Sequence, residues 1–256
     1  MTSNRKFTEK PNRLRTASTA KVSGVAAVER AFAILNAFGN DGQSMPLATI
    51  AANTGMYKST ILRLMDSLIR FGYLQRLEGG NYQIGPTPMI LGARYQRSLR
   101  VGDLVLPYMR ALAQETGESL SLYVVHGSSR LCVHRIDSDH EIRDHVREGD
   151  LYPMDRGSGG GVLSAFSGAR GARYDSIRAN YFYISLGERD RETGGISAPI
   201  FGAENRLLGS LTLSGPRSRV DQAFLNKVRP KLLLAAARAT ASLGGDPRPL
   251  ERVAKA

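Results

Sequence analysis

The sequence predicts an α+β fold in two parts, on three observations. Between residues 24 and 71, apolar side chains recur at three- and four-residue steps in three short runs, followed by two short extended runs. After Gly117 the period falls to two, the mark of half-buried strands. A Leu- and Ala-rich helix, beginning at Asp221 and reaching about Leu243, then closes the second part. Helices and antiparallel strands mixed in this order indicate α+β. At 256 residues and 42% hydrophobic content, the chain can build two ordinary domains with real cores.

Residues 1–23 are polar and without periodicity, and they read as a disordered basic tail. A helix then begins at Gly24, with Val28, Ala31, Phe32, Leu35 and Phe38 on its apolar face. Gly39-Asn40-Asp41-Gly42 turns the chain. A second short helix follows Pro46, a residue suited to a helix start, and buries Leu47, Ile50 and Ala51. Asn53-Thr54-Gly55 breaks it. The third helix lies in TGMYKSTILRLMDSLIRFGY, with Ile61, Leu64, Met65 and Leu68 as its apolar face, closed by Phe71. Ser59, Thr60, Arg63, Ser67 and Arg70 project from the other side, where Asp66 is the only acid. Extended runs at 73–77 and 81–84 flank Glu78-Gly79-Gly80, a hairpin pattern.

Three short helices and a hairpin over 24–86 make a winged helix-turn-helix, with a short helix, a tight turn through glycine, then a longer helix. A core helix needs only an apolar stripe. The third helix also carries small hydroxyl and basic residues near its N-terminal end, where a recognition helix meets a DNA groove. Free backbone N–H groups there can hold phosphate. An ordinary surface helix is the competing reading. Tyr57, Lys58, Ser59, Thr60, Arg63 and Arg70 are the candidate contacts to groove and phosphate, with Arg76 and Asn81 in the wing.

Residues 87–100 form a connecting helix whose Met89, Ile90 and Leu91 suit packing against another helix. The second domain covers 101–244. Its first helix runs from Val101 through Leu104, Tyr108, Leu112 and Ala113 to near Gly117, and Pro107 falls inside it as a potential kink. Alternating strands follow at 119–124, 130–136, 195–201 and 207–214. Residues 245–256 read as a second disordered tail.

The net charge of +12 is unevenly placed: +5 over 1–23, +4 over 24–100, −3 over 101–216 and +6 over 217–256. An excess of positive charge favours polyanions through counterion release, although solvated basic tails give the same count. A single cysteine, Cys132, excludes an internal disulfide and suits a reducing cytoplasm. Between Leu131 and Val133 it reads as a small core residue. No run approaches the roughly 18 apolar residues of a membrane span, and the basic N-terminus lacks the apolar segment of a secretory signal.

Taken in order, several segments resemble the IclR type of transcriptional regulator from about Val25 to Leu243. Lys58-Ser59-Thr60 with Arg63-Leu64, Leu68 and Gly72-Tyr73 is similar to the family's recognition helix, and Gly80-Asn81-Tyr82-Gln83-Ile84-Gly85 to its wing. Glu115-Thr116-Gly117-Glu118, Ser158-Gly159 with Leu163, Ala198-Pro199-Ile200-Phe201 and Leu213-Ser214-Gly215-Pro216 resemble landmarks of its ligand domain. The resemblance implies a linker helix joining the DNA-binding domain to a GAF-like effector-binding domain. It implies a homodimer or homotetramer on a double-stranded DNA operator, and a small-molecule carboxylate or aromatic acid as effector. By the same resemblance, Gly157, Ser158, Gly159, Ser185, Gly195, Thr212 and Ser214 are the effector-binding residues. Thr212 and Ser214 alternate on one strand and so share a face. The set reads as hydroxyl and amide donors without a neighbouring carboxylate, which suits an anion. Two departures stand out: the chain is short between Ala165 and Tyr181, which reduces a helix and loop beside the pocket, and Gly160-Gly161 replaces the usual lysine after the Ser-Gly pair.

Rival chemistries are weakly supported. The glycine run at 157–161 lacks the downstream Gly-Lys-Ser/Thr of a phosphate loop, and no strand clearly precedes it. A nucleophile elbow needs glycine where Arg156 stands. His126, His134, His140 and His145 lie near Asp137, Asp139 and Asp144, but at no familiar metal-ligand spacing. No metal or cofactor is expected. Arg143, Arg147 and Arg156 either pair with Asp144, Glu148 and Asp155 or line a ligand entrance; exposed pairs stabilise little. The alternative class is an enzyme or metabolite-binding protein with an appended basic helical module, and no catalytic constellation favours an enzyme.

Overall fold

In this computed structural model, residues 24–39, 44–99 and 101–256 are described. The expected tail at 1–23, most of the turn at 39–42, and Arg100 lie outside the described residues. The described residues form two compact units, divided between Pro88 and Met89.

The first unit contains α1 (Ala26–Asn36), α2 (Leu47–Thr54), α3 (Lys58–Arg70), β1 (Leu74–Arg76) and β2 (Tyr82–Ile84). Pro46 caps the start of α2, and Gly55 ends it in the left-handed conformation, φ 69°, which glycine adopts without a Cβ clash. Met56 and Tyr57 alone then separate Gly55 from α3. The strands pair antiparallel, Leu74 opposite Ile84 and Arg76 opposite Tyr82. Met45 exchanges both backbone hydrogen bonds with Tyr82, which ties the hairpin to the entry of α2. Ile34, Ile50, Ile61, Met65, Leu68, Leu74 and Tyr82 form the core.

Two details of the apolar pattern differ from expectation. On α1, Val28 and Phe32 are 50% and 56% exposed, while Ile34 is fully buried. Val28, Ala31, Phe32, Ile34 and Leu35 spread over more of the helix surface than one face can bury, so packing against α3 selects among them. Phe71, expected to close the apolar face of α3, is exposed.

The second unit contains the following helices: α4 (Thr87–Leu99, starting at the division), α5 (Val101–Thr116), α6 (Gly157–Phe166), α7 (Ala172–Asn180), α8 (Gln222–Ser242) and α9 (Arg248–Ala254). Its strands are β3 (Ser119–His126), β4 (Ser129–Ile136), β5 (Leu151–Pro153), β6 (Tyr183–Leu186), β7 (Thr193–Phe201) and β8 (Leu207–Pro216). They form one antiparallel sheet in the order β5-β4-β3-β8-β7-β6. Helices α5 and α8 pack on the sheet, with α9 on α8, and α6 packs on it with α7 on α6.

Register sorts the side chains. Leu120, Leu213, Ile196 and Ile184 lie opposite one another across β3, β8, β7 and β6. They belong to the apolar core that also holds Val105, Met109 and Leu112 of α5 and Leu225, Leu232 and Leu233 of α8. One residue along each strand runs a different row, Ser119, Ser214, Gly195 and Ser185. A second such row is Ser121, Thr212, Ser197 and Tyr183. Because alternate residues point to opposite faces, one face of the sheet is aliphatic and the other is hydroxyl-rich.

The polar face explains the least expected element. Helix α6 begins with Gly-Ser-Gly-Gly-Gly, and each interior glycine costs about 1 kcal/mol relative to alanine. Larger residues do not fit. A Cβ at 159 would stand 3.1 Å from Thr212 Oγ1 and 3.2 Å from the Tyr123 ring. At 160 it would meet the Met154 carbonyl at 2.6 Å, and at 161 the Tyr183 ring at 2.8 Å. The glycines are the condition for close approach to the sheet, and such a sequence shows no helical periodicity.

The shortened stretch between Ala165 and Tyr181 holds a single nine-residue helix, α7. Arg178 fastens it by donating to the carbonyls of Ala165 and Ala169. The expected disordered tail at 245–256 is a correction. It contains α9, whose Leu250 is fully buried against the main core. One anchoring leucine in a seven-residue helix is too little for a periodic signal.

Replacing Ile61 by alanine should destabilise the first unit by about 2–5 kcal/mol, since it deletes a fully buried side chain. Arg63→Ala, on the exposed side, should change stability by less than about 0.5 kcal/mol. Urea unfolding followed by circular dichroism separates the two; equal midpoints would contradict this core assignment.

Candidate functional site

The N-terminal half of α3 presents a compact polar surface. Tyr57 is 86% exposed, Lys58, Ser59 and Arg63 are exposed, and Thr60 is half-buried. Arg63 follows Ser59 by four residues and Thr60 by three, so the three share one face. No acid lies in the first turn, and Tyr57 at the N-cap supplies no side-chain cap. The Thr60 N–H donates to the Tyr57 carbonyl, while the N–H groups of Lys58 and Ser59 and the positive end of the helix dipole are open to an anion. Arg70 is separate: it sits about 18 Å along the axis from Lys58, and its guanidinium lies over the Phe71 ring at 5.2 Å. In the hairpin, Arg76 lies over Tyr82 at 5.9 Å, and Asn81 Nδ2 donates to Ser44 Oγ at 3.5 Å.

The second unit has a cavity of about 30 Å³ between the N-terminus of α6 and the hydroxyl face of the sheet. Its walls include all seven residues singled out by resemblance: Gly157, Ser158, Gly159, Ser185, Gly195, Thr212 and Ser214. Ser197 donates to Ser158 Oγ at 2.8 Å and is 2.7 Å from Thr212 Oγ1. A hydroxyl has one proton, so Thr212 donates to Ser197, and Ser158 keeps its own proton for the cavity. The N–H groups of Ser158 and Gly159 lie in the first turn of α6 and have no intrahelical acceptor.

The expectation of donors without a neighbouring carboxylate is corrected. Ser214 Oγ donates to Asp144 Oδ2 at 2.8 Å, so its only proton is engaged. The Gly157 N–H donates to Glu188 at 3.0 Å, and Tyr183 also donates to Glu188. The Asp144 side chain is 1% exposed and is held by Arg135 at 2.5 Å and Arg189 at 2.9 Å. Burial favours its neutral form; Arg135, Arg189 and the Ser214 hydroxyl override that and hold the carboxyl below its usual range. Burial pushes the Cys132 thiol up to about 12, in keeping with an inert core residue.

Residue spacing does not reveal three features of this wall. Tyr123, Arg130 and Arg189 line the cavity, brought in by β3, β4 and the turn after β6. The two-residue alternation of β4 places Arg130 on the same face as Cys132, which is the one available signal. Asp144 is paired with Arg135 and Arg189 rather than with Arg143, which instead approaches Asp137 at 3.9 Å. Glu148 receives the Arg135 N–H and a Gln96 amide rather than Arg147. Among the described residues, no three His, Cys, Asp or Glu side chains converge as a metal site. None of the described helices is long and apolar enough to cross a membrane.

Residues 27–78 match the IclR helix-turn-helix domain, and residues 93–177 match the C-terminal domain of bacterial IclR transcriptional regulators, together more than half the chain. The chain is 24% identical to the transcriptional regulator XynR of Escherichia coli over 248 residues, covering 86% of this chain and 98% of that protein. It is 31% identical to the regulator TtgV of Pseudomonas putida over 147 residues, 57% of this chain and 56% of that one. Among solved structures, an IclR homologue from Microbacterium hydrocarbonoxydans complexed with 4-hydroxybenzoate has the same fold. Its TM-score is 0.72 at 20% identity, over 85% of this chain and 99% of the other. A regulator from Alicyclobacillus acidocaldarius also has a TM-score of 0.72, at 19% identity over 86% and 100%.

The Asp144 network sets an acid limit. A carboxyl with a depressed folded-state value contributes stability above its unfolded value and loses it as pH falls through the folded one. The melting temperature of the second unit should therefore fall as pH drops below about 4. Asp144→Asn should lower stability at neutral pH by about 3–5 kcal/mol, because it leaves Arg189 without its carboxylate and Arg135 with only the more exposed Asp137. It should also flatten the acid dependence. Melting curves between pH 3 and 7 check both; a variant that tracks the wild type throughout contradicts the assignment.

Proposed function

This chain belongs to the IclR family of DNA-binding transcriptional regulators, and from that premise we propose that it controls catabolic genes in response to a small-molecule carboxylate bound between α6 and the sheet. The observation that carries the reading is the cavity in the second unit, where seven residues from four separate segments meet at a helix N-terminus. The donors that remain unengaged there, the Ser158 hydroxyl and the N–H groups of Ser158 and Gly159, suit an anion. The 4-hydroxybenzoate held by one structural relative is a carboxylate, which supports the same ligand class.

On the DNA side, the first turn of α3 enters the major groove of an operator. Its open N–H groups, Lys58, Ser59 and Thr60 set the register on phosphate, Arg63 reads a base edge, and Tyr57 packs at the groove wall. Arg76 and Asn81 of the hairpin contact backbone or minor groove, and Arg70 adds a distal phosphate contact. The protein acts as a homodimer or homotetramer in the cytoplasm. The exposed Met89, Ile90 and Leu91 of α4 and the uncovered Val28, Phe32 and Phe71 support self-association. Effector binding shifts the balance between dimer geometries only by its differential affinity for them.

Arg63→Ala should weaken operator binding by about 1–3 kcal/mol, five- to over a hundredfold, in a mobility-shift titration. Wild-type affinity should fall steeply as salt rises from 50 to 200 mM. Unaltered binding by a normally folded Arg63 variant removes the residue from the interface. Weak, salt-insensitive association of the wild type points instead to a metabolite-binding protein with an appended basic module.

A further inference from the structure

Arg130 stands out among the cavity residues because its charge has no counterpart. The residue is 2% exposed, yet it has no carboxylate at ion-pair distance among the described residues. Its Nη1 donates to the carbonyls of Pro153 and Arg156. Its Nε has no hydrogen-bond partner. The guanidinium lies against the Tyr123 and Tyr152 rings, 5.3 and 5.4 Å from their centroids. Arg189, on the same wall, lies 5.5 Å from the Tyr152 centroid. Two cations thus flank one ring, and the nearby buried carboxylate, Asp144, already serves Arg135 and Arg189. Burial lowers the Arg130 proton affinity, but a guanidinium keeps its proton in proteins. A buried cation held only by carbonyls and ring faces is costly unless something anionic completes its surroundings.

The start of α6 approaches the open side of that guanidinium closely. A Cβ at 157 would stand 3.3 Å from Arg130 Nη2, and one at 159 would stand 3.6 Å from Nε and 3.1 Å from Thr212 Oγ1. The free Nε–Nη2 edge therefore faces the same short stretch that offers the Ser158 hydroxyl and the N–H groups of Ser158 and Gly159. That edge is the fork that binds a carboxylate through two parallel hydrogen bonds.

We propose that Arg130 is the charge-reading residue of the cavity, binding the effector carboxylate side-on through Nε and Nη2 while the α6 N-terminus and Ser158 hold its remaining lone pairs. Arg189 stays on Asp144 and contributes field rather than a direct bond. The inference rests on the reading of the cavity as an effector site and adds to it a specific cation. At about 30 Å³ the cavity admits an anion of a few heavy atoms as it stands. An engineered apolar cavity of about 150 Å³ holds benzene, so benzoate, the largest of the three acids tested below, binds only if this cavity widens.

The test measures melting shifts and calorimetric affinities of the full chain for propionate, lactate and benzoate, each beside its neutral amide. At least one acid should stabilise the wild type while its amide does not. Arg130→Lys, which keeps the charge but loses the fork, should bind that acid at least tenfold more weakly, and Arg130→Met should not bind it measurably. An Arg130→Lys affinity within twofold of wild type overturns the role of Arg130 while leaving the cavity reading intact. An amide that stabilises the wild type as well as its acid does the same, and needs no variant to fold. If none of the acids stabilises the wild type, the carboxylate reading of the cavity fails with it.

Discussion

The second unit depends on one constraint, the two-residue alternation of β3, β7 and β8. Once Leu120, Leu213 and Ile196 are drawn into register under α5 and α8, their neighbours Ser119, Ser121, Thr212, Ser214 and Ser197 must face the opposite way. Burial of the aliphatic row supplies the driving force. The hydroxyl row is then a consequence, and it has to be satisfied because buried hydroxyls without partners are costly. Ser197 between Ser158 and Thr212 meets that demand locally, as does Ser214 on Asp144.

A polar face of this kind selects its cover. A bulky amphipathic helix would leave the hydroxyls unpaired and collide with them. The glycine-rich start of α6 instead brings backbone N–H groups close to the sheet. The same closeness explains Gly159, Gly160 and Gly161 through Thr212, Met154 and Tyr183, and a φ of 77° explains Gly157, so the glycines need no phosphate loop to account for them. Charge follows the same logic. Arg135 and Arg189 share one carboxylate in a dry region where neither could remain unpaired without cost, so the loop that carries Asp144 is bound to the cavity wall.

In the first unit a different economy holds. Seven side chains make the core, and the side of α3 that they do not use is free to be polar. Helix α1 has more apolar surface than its own unit can cover, which leaves Val28 and Phe32 exposed beside Phe71. Small domains have too little interior to hide every large apolar residue.

Legibility varied with how local the signal is. The helices and hairpin of the first unit, the four long strands and α8 were visible because each carries its own periodicity over eight or more residues or a strong turn signal. The order of landmarks, read as a family resemblance, placed seven residues that do line one cavity. Elements α6, α7, α9, β5 and β6 were hidden, because each is short or glycine-rich and is formed by what it packs against. Arg130, Arg189 and Asp144 were hidden for a related reason: they stand 14 to 59 positions apart in the chain, and charge alone does not say which arginine meets which carboxylate. By itself, then, the sequence determined the periods, the turns and hence the faces. Only the tertiary structure decided which faces meet and which charges are buried together, because pairing energies depend on distance and desolvation, and neither is written in one dimension.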